Sequence, residues 1–352
     1  MNAPKTTTMQ DPLGLSVERL PHIKNVWKYN LEKEFTRISK AIEEGYNWVA
    51  MDTEFPGIVF NYVMDSKNPE MGYRILKMNV DNLKLIQVGV TLANEKGQKP
   101  PGTHTWQFNL NFNVNTEKYH PESITLLKEA GIVFEELIEH GIDPMCFGDH
   151  LMSSGLVVNP DVTWIAFHGA YDFSYLLKVL INDLLPATSE QFIIYLKHLF
   201  PNIYDIKTII NDIDEWKNLS LSRLGNDLDL KRTGHQHQAG SDALLTVEIF
   251  FAIYLSQFAD GIPSKYFNKV FGISSDGNFN FSNYQSQEII MPNFYHYPQF
   301  YQNYPYYNEQ MYNTAMPNFF YPAQQMPEHY YMNVPPKTPQ MPNTVPNPYQ
   351  RN

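Results

Sequence analysis

Trp48-Val-Ala-Met-Asp-Thr-Glu-Phe-Pro-Gly57 reads as a buried strand that ends in charge. Val49, Ala50 and Met51 form an apolar run, and Pro56-Gly57 is a turn signal that stops it. Side chains two apart share a strand face, so Asp52 and Glu54 project together from the strand end. Neighbouring carboxylates repel each other unless a cation or a shared proton intervenes. The pair is therefore a candidate site for hard divalent cations, which take oxygen ligands. A solvated, charged strand terminus is the alternative while the pair stands alone.

The 352 residues suffice for one large domain with extra sequence, or for two ordinary domains. A hydrophobic content of 43% fits a soluble protein with a substantial core. The formal net charge of -11 argues against passive, charge-driven binding to nucleic acid. A polyanionic substrate would need its positive charge from bound metal or from partners. Cys146 is the single cysteine, which excludes an internal disulfide framework and a cysteine-based zinc cluster and fits a reducing compartment. The N-terminal residues lack the apolar core of a signal peptide. With no apolar run of about 18 residues, no membrane partner is expected. The expected location is the cytoplasm, with the nucleus as a second compartment.

Residues 1–16 are expected to be a disordered leader. Helical periodicity begins near Asn30 (Leu31, Phe35, Ile38, Ile42), with Gly45 as its stop. After the Pro-Gly turn comes a polar excursion, then a second strand over 83–92, a hairpin loop over 94–102 and a third strand over 103–112. Strands in succession followed by helices predict an antiparallel start to a mixed sheet. Short helical pieces occupy 121–154, a strand covers 161–167, and a helix covers 171–180. Further helices are expected over 191–200 and 221–227, a short strand over 203–206, and a long apolar helix over 241–256. From about residue 273 to 352, Asn, Gln, Pro, Tyr and Met dominate and charge is sparse. Proline interrupts every segment there, so this low-complexity tail is expected to be disordered.

Two further acids stand out by position. Asp172 follows a strand in Phe167-His-Gly-Ala-Tyr-Asp-Phe173, inside the first turn of a helix. Asp242 ends His237-Gln-Ala-Gly-Ser-Asp242, again at a helix start. Taken alone, each is equally a capping or helix-dipole residue, and His237 is equally a loop histidine. Together they match the pattern of DEDD exonucleases in its histidine variant. The match extends to Asn79-Val-Asp-Asn-Leu-Lys-Leu-Ile-Gln-Val-Gly89 and Phe200-Pro-Asn-Ile-Tyr-Asp-Ile-Lys207. On these motifs, in order across residues 17–272, the chain resembles the Caf/Pop deadenylases, catalytic subunits of the Ccr–Not complex that shorten mRNA poly(A) tails. Gly169-Ala170, Phe147-Gly-Asp-His150 and Lys231-Arg-Thr-Gly-His235 depart from the family pattern, and none of them replaces a catalytic position.

The resemblance implies an RNase H-like mixed β-sheet flanked by α-helices, and hydrolysis of single-stranded poly(A) RNA from its 3′ end to 5′-AMP. It implies two divalent ions, Mg2+ or Mn2+, held by Asp52, Glu54, Asp172 and Asp242. Asp52 would bridge the ions, Glu54 and Asp242 would serve the nucleophile side, and Asp172 the leaving-group side. His237 would be the general base, since its unperturbed pKa lies near neutrality, on a glycine-containing loop that could let it swing in with substrate. Asp205 matches a family position too and is assigned a structural role or one supporting the metal ligands from behind. Phe55 and Phe173 are candidates for stacking on RNA bases, with core packing as the alternative. Implied partners are a Not scaffold subunit, a second deadenylase of the Ccr type, and RNA-binding or antiproliferative adaptor proteins. The rival readings are another DEDD-type RNA-trimming or proofreading nuclease, and an adaptor subunit without nuclease activity.

Overall fold

The expected strand at 48–54 is the fourth of eight in a single mixed sheet. The computed structural model describes residues 23–60, 69–258, 261–272 and 278–280. The strands are β1 (Ile23–Val26), β2 (Trp48–Glu54), β3 (Gln87–Ala93), β4 (Thr105–Asn109), β5 (Thr163–Ala166), β6 (Asn202–Asp205), β7 (Lys269–Phe271) and β8 (Asn278–Asn280). The first helices are α1 (Leu31–Glu43), α2 (Pro69–Asn82), α3 (Pro121–Glu129), α4 (Phe134–His140) and α5 (Pro144–Ser153). They are followed by α6 (Ala170–Ile181), α7 (Ser189–Leu199), α8 (Ile206–Ile210), α9 (Leu221–Asp227) and α10 (Ala239–Gln257).

The sheet order is β1-β4-β3-β2-β5-β6-β7-β8. β2 pairs antiparallel with β3 and parallel with β5, so the antiparallel start becomes a parallel half at β2. Both faces of β2 are covered, which is why its sequence is a continuous apolar run rather than an alternating one. Val49 and Met51 pack with α1, α5, α6 and α7 on one face. Ala50 packs with α8, α9 and α10 on the other. This is the RNase H-like arrangement of a mixed sheet between helices.

Helix α10 is apolar nearly all round because it is a core helix, buried along most of its length. Among the described residues it alone is long and apolar enough to cross a membrane, a run the composition did not suggest. Its buried face against β2 and β3 accounts for that character without a bilayer.

Among the elements that the sequence did not announce, α8 and β7 included, three have a clear physical reason. The polar excursion after Gly57 contains α2, whose Tyr73, Leu76 and Val80 are buried at helical spacing between polar neighbours. β1 has four residues, too few to show an alternation, and it exists because it pairs with β4. β8 pairs with β7, so the sheet continues past residue 272, the expected boundary. The expected leader at 1–16, and the tail apart from β8, lie outside the described residues.

Candidate active site

Register brings the acids together. Asp52 lies opposite Gly89 of β3, and Glu54 opposite Gln87. By strand alternation Asp52 and Glu54 share the face of Ala50, on which α10 packs. A Cβ at position 89 would overlap the carbonyl oxygen of Ala239, so only glycine lets α10 begin directly on the sheet there. One turn into α10, Asp242 reaches the strand carboxylates. Oxygens of Asp52, Glu54 and Asp242 lie within 4.8 Å of one another.

Asp172 arrives from the opposite side of the sheet. It sits in the first turn of α6, and its Oδ1 accepts from the Thr53 hydroxyl at 2.6 Å. It stands outside the group of three but adds to their repulsion. The turn that launches α6 is tied down by Asp205, which is fully buried at the end of β6. Its carboxylate accepts the backbone N–H groups of His168 and Gly169 at 2.8 and 3.0 Å, and those of Lys207 and Phe271 at 2.9 Å each. A carboxylate given over to four backbone donors has the structural role expected for it.

His237 lies in the loop before α10 with a left-handed backbone, φ 63°. Its N–H donates to Asp242 Oδ2 at 2.9 Å. The other oxygen, Oδ1, accepts from Arg232 Nη1 at 2.6 Å, and Arg232 also donates to Ser241 and Ser222. Neither Arg232 nor Thr53 stands out in the sequence. An arginine ten residues before an acid has no spacing signal, since only folding brings it there.

The two aromatic candidates separate. Phe55 is partly exposed and stacks on Tyr171 at 5.2 Å, with Tyr175 at 5.0 Å. Phe173 is wholly buried and packs edge-on against Phe200, so it is a core residue with no face to offer a base. Tyr171, adjacent to Asp172 in the same motif, is the aromatic that faces Phe55 instead.

The electrostatics are those of charges collected against their repulsion. Burial, then the nearby Asp242, Asp172 and Glu54, holds the Asp52 carboxyl well above the usual carboxylate range, with Arg232 opposing. Glu54 is raised in the same way, by burial and then by Asp242 and Asp172. Burial pushes Asp172 up to about 6, offset in part by the Thr53 hydrogen bond. Asp242 is raised by burial too, against the pull of Arg232. Four hard oxygen donors whose charge is costly when unpaired fit a divalent cation of the magnesium type.

These shifts give stability a sign. Each acid holds its proton to higher pH in the fold than in the unfolded chain. Ionisation therefore costs the metal-free fold nothing below the ordinary carboxylate range. The cost grows as pH rises from that range through about 6 for Asp172, and Asp52 and Glu54 add to it in the same direction. In EDTA the melting temperature should fall as pH rises from about 4 through about 6, the span of the Asp172 shift, and Mn2+ should recover most of the loss at the upper end. A melting temperature that stays level or climbs over that range in EDTA would mean the acids are well solvated.

The family model described as CAF1 family ribonuclease matches residues 26–145 and 157–250. The poly(A) ribonuclease pop2 of Schizosaccharomyces pombe is 43% identical over 274 residues, covering 78% of this chain and 81% of that protein. The structure of S. pombe Pop2p in its Mg2+- and Mn2+-bound form superposes with a TM-score of 0.68 at 45% identity, over 71% of this chain and 99% of that one. A structure of the yeast NOT1 MIF4G domain co-crystallized with CAF1 matches with a TM-score of 0.59 at 34% identity, over 70% of this chain and 94% of that one. With the family match running from β1 through most of α10, and with acids converging from β2, α6 and α10, the chain belongs to the CAF1 ribonuclease family.

Proposed function

We propose that this chain is a metal-dependent 3′→5′ exoribonuclease that shortens poly(A), releases 5′-AMP, and works as a catalytic subunit of a Ccr–Not complex. The observation that carries the proposal is the convergence of Asp52, Glu54 and Asp242 on one point of the sheet face, from residues far apart in sequence. The poly(A) ribonuclease relative and its Mg2+- and Mn2+-bound structure support the same chemistry. In this reading Asp52, Glu54, Asp172 and Asp242 hold two divalent ions. When bound, the ions supply positive charge to the phosphodiester and lower the pKa of water at the site.

The chain's own side chains do the rest. His237 takes a proton at its imidazole, as the general base. Arg232 and the His237 N–H engage both oxygens of Asp242, which keeps that carboxylate from rotating. Thr53 does the same for one oxygen of Asp172. Phe55, backed by Tyr171, is the aromatic best placed to stack on a base of the RNA.

The partner proposal rests on the NOT1 complex and on charge. A Not scaffold subunit fits the likeness to the CAF1 chain of that complex. A net charge of -11 disfavours unaided capture of single-stranded RNA, so recruitment falls to RNA-binding or antiproliferative adaptors and a Ccr-type second deadenylase.

The test is a timed digestion of 5′-labelled RNA ending in an A-tract, with Mg2+, Mn2+ or EDTA. A metal-dependent ladder shortening from the 3′ end, slowing at the first residue that is not A, is the expected outcome. Folded protein that leaves the RNA intact under either metal would overturn the nuclease reading in favour of an adaptor.

A further inference from the structure

The two rungs of the sheet that carry the acids continue outward as amides. Along one rung Asp52 faces Gly89, Gly89 faces Gln107, and Gln107 faces Asn25. Along the next, Glu54 faces Gln87, and Gln87 faces Asn109. Gln87, Gln107 and Asn109 are almost fully buried, at 2%, 7% and 2% exposure. Polar side chains so deep in a sheet require partners. They find each other: Gln87 Nε2 donates to Asn109 Oδ1 at 2.7 Å, and Gln107 Nε2 to Asn25 Oδ1 at 3.0 Å.

Asn109 Nδ2 turns to Asn25 and to the carbonyls of Val26 and Gln107, while the capacity left to Gln87 and Gln107 is aimed at the chain between His237 and α10. The first turn of a helix leaves backbone donors without intrahelical partners. Gln238, at the N-cap, makes no side-chain cap to α10. The sheet supplies the cap instead. Gln107 Oε1 accepts the N–H of Gly240 at 3.0 Å, and Gln87 Oε1 accepts the N–H of Ala239 at 3.3 Å. The Gln238 side chain turns back into the same network. Its Oε1 accepts from Gln107 Nε2 at 2.7 Å, and its Nε2 donates to the carbonyl of Ala130 at 2.9 Å. His237 is the residue immediately before this clamp, and its own N–H is already bound to Asp242.

We propose that this amide ladder is a positioning device for His237, with Gln238 as its keystone. It acts by capping α10 from the sheet and fixing the backbone on the C-terminal side of the histidine. With the backbone held by Asp242 and by the clamp, the imidazole, whose Nε2 lies 3.1 Å from Gln236 Nε2, is left to move chiefly by rotating about its own side-chain bonds. The loop therefore presents His237 rather than letting it swing. A general base displaced by about 1 Å loses up to about 100-fold in rate. This inference rests on the role given to His237 under Proposed function.

The test compares the intact chain with Gln238→Met, which keeps length and flexibility but removes both amide functions. His237→Ala serves as the reference for loss of the base. Thr91→Val breaks the buried Thr91–Thr105 hydrogen bond elsewhere in the sheet and controls for lost stability. For Gln238→Met the expected results are a kcat on A-tract RNA lower by about 10- to 100-fold and a KM within about twofold. Mn2+ affinity by calorimetry should stay within about threefold, and the amides of Ala239 and Gly240 should exchange with deuterium faster. Gln238→Glu, which keeps the acceptor for Gln107, should recover part of the rate.

A kcat no lower than that of Thr91→Val, with His237→Ala strongly impaired, would overturn the positioning role and leave the nuclease reading intact. A fall in Mn2+ affinity matching the fall in kcat would overturn it as well, because the network would then be serving the carboxylates. If His237→Ala digests RNA as fast as the intact chain, the base assignment itself fails, and this inference with it.

Discussion

Asp52→Asn is expected to lower the rate of poly(A) shortening by on the order of 10³-fold or more, and to raise the melting temperature measured in EDTA. The first effect follows from the place of Asp52 at the centre of the acid cluster, where it is repelled by Asp242, Asp172 and Glu54 and desolvated by burial. In the proposed mechanism Asp52 would hold the cation, and a site deprived of that ligand would lose most of the charge stabilisation that the reaction uses. The second effect has the same cause with opposite sign. The amide occupies nearly the same volume and carries no charge, so the metal-free fold loses a repulsion and keeps its packing. A gain of about 2–4 °C corresponds to about 1 kcal/mol in a domain of this size. Thermal melts in EDTA and in Mn2+, run beside the RNA digestion, check both. A variant that melts lower in EDTA than the parent would show that the charge at 52 is not a burden. A variant that still trims RNA would remove Asp52 from the chemistry.

Gly89→Ala should be the most damaging single-atom addition in the described part of the sheet. The added methyl group would overlap a backbone carbonyl, that of Ala239, and the amide nitrogen of Gly240 lies beside it. Neither can yield without lifting the start of α10 away from β3. Overpacking costs typically about 1–3 kcal/mol, and more where backbone must move. We expect the upper end of that range, a lower soluble yield, and in the protein that does fold a Mn2+ affinity at least about tenfold weaker, because Asp242 leaves with the helix. Chemical denaturation and calorimetry measure the two consequences separately. A stability within about 1 kcal/mol of the parent would mean that α10 does not bear on residue 89 as closely as described.

Much of this site was legible in the sequence because its signals are local. The apolar run ending in Asp52-Thr-Glu54 carries strand period and turn chemistry in ten residues. Asp172 and Asp242 each follow a recognisable helix start. What could not be read is what depends on pairing across the fold. β1 has no signal until β4 lies beside it. α2 hides its buried face among polar neighbours. Phe173 and Phe55 look alike in sequence, and only packing against Phe200 makes one a core residue. Gln87, Gln107 and Asn109 read as ordinary polar positions on strands. Their meaning appears when register sets them in line with the carboxylates, and Arg232 likewise gains its partner only when α10 closes over the sheet.

The covering of β2 and β3 by α10 also bears on how the activity comes into being during synthesis. The first acids are made at residues 52 and 54, but the face they occupy stays open until residues 239–257 have been made. A chain stopped short of that point has an unroofed apolar sheet and an incomplete set of acids. Contacts so distant in sequence form late. A chain ended before residue 239 would lack both Asp242 and the helix that covers β2 and β3, so assembly of the acid cluster must wait for nearly the whole domain.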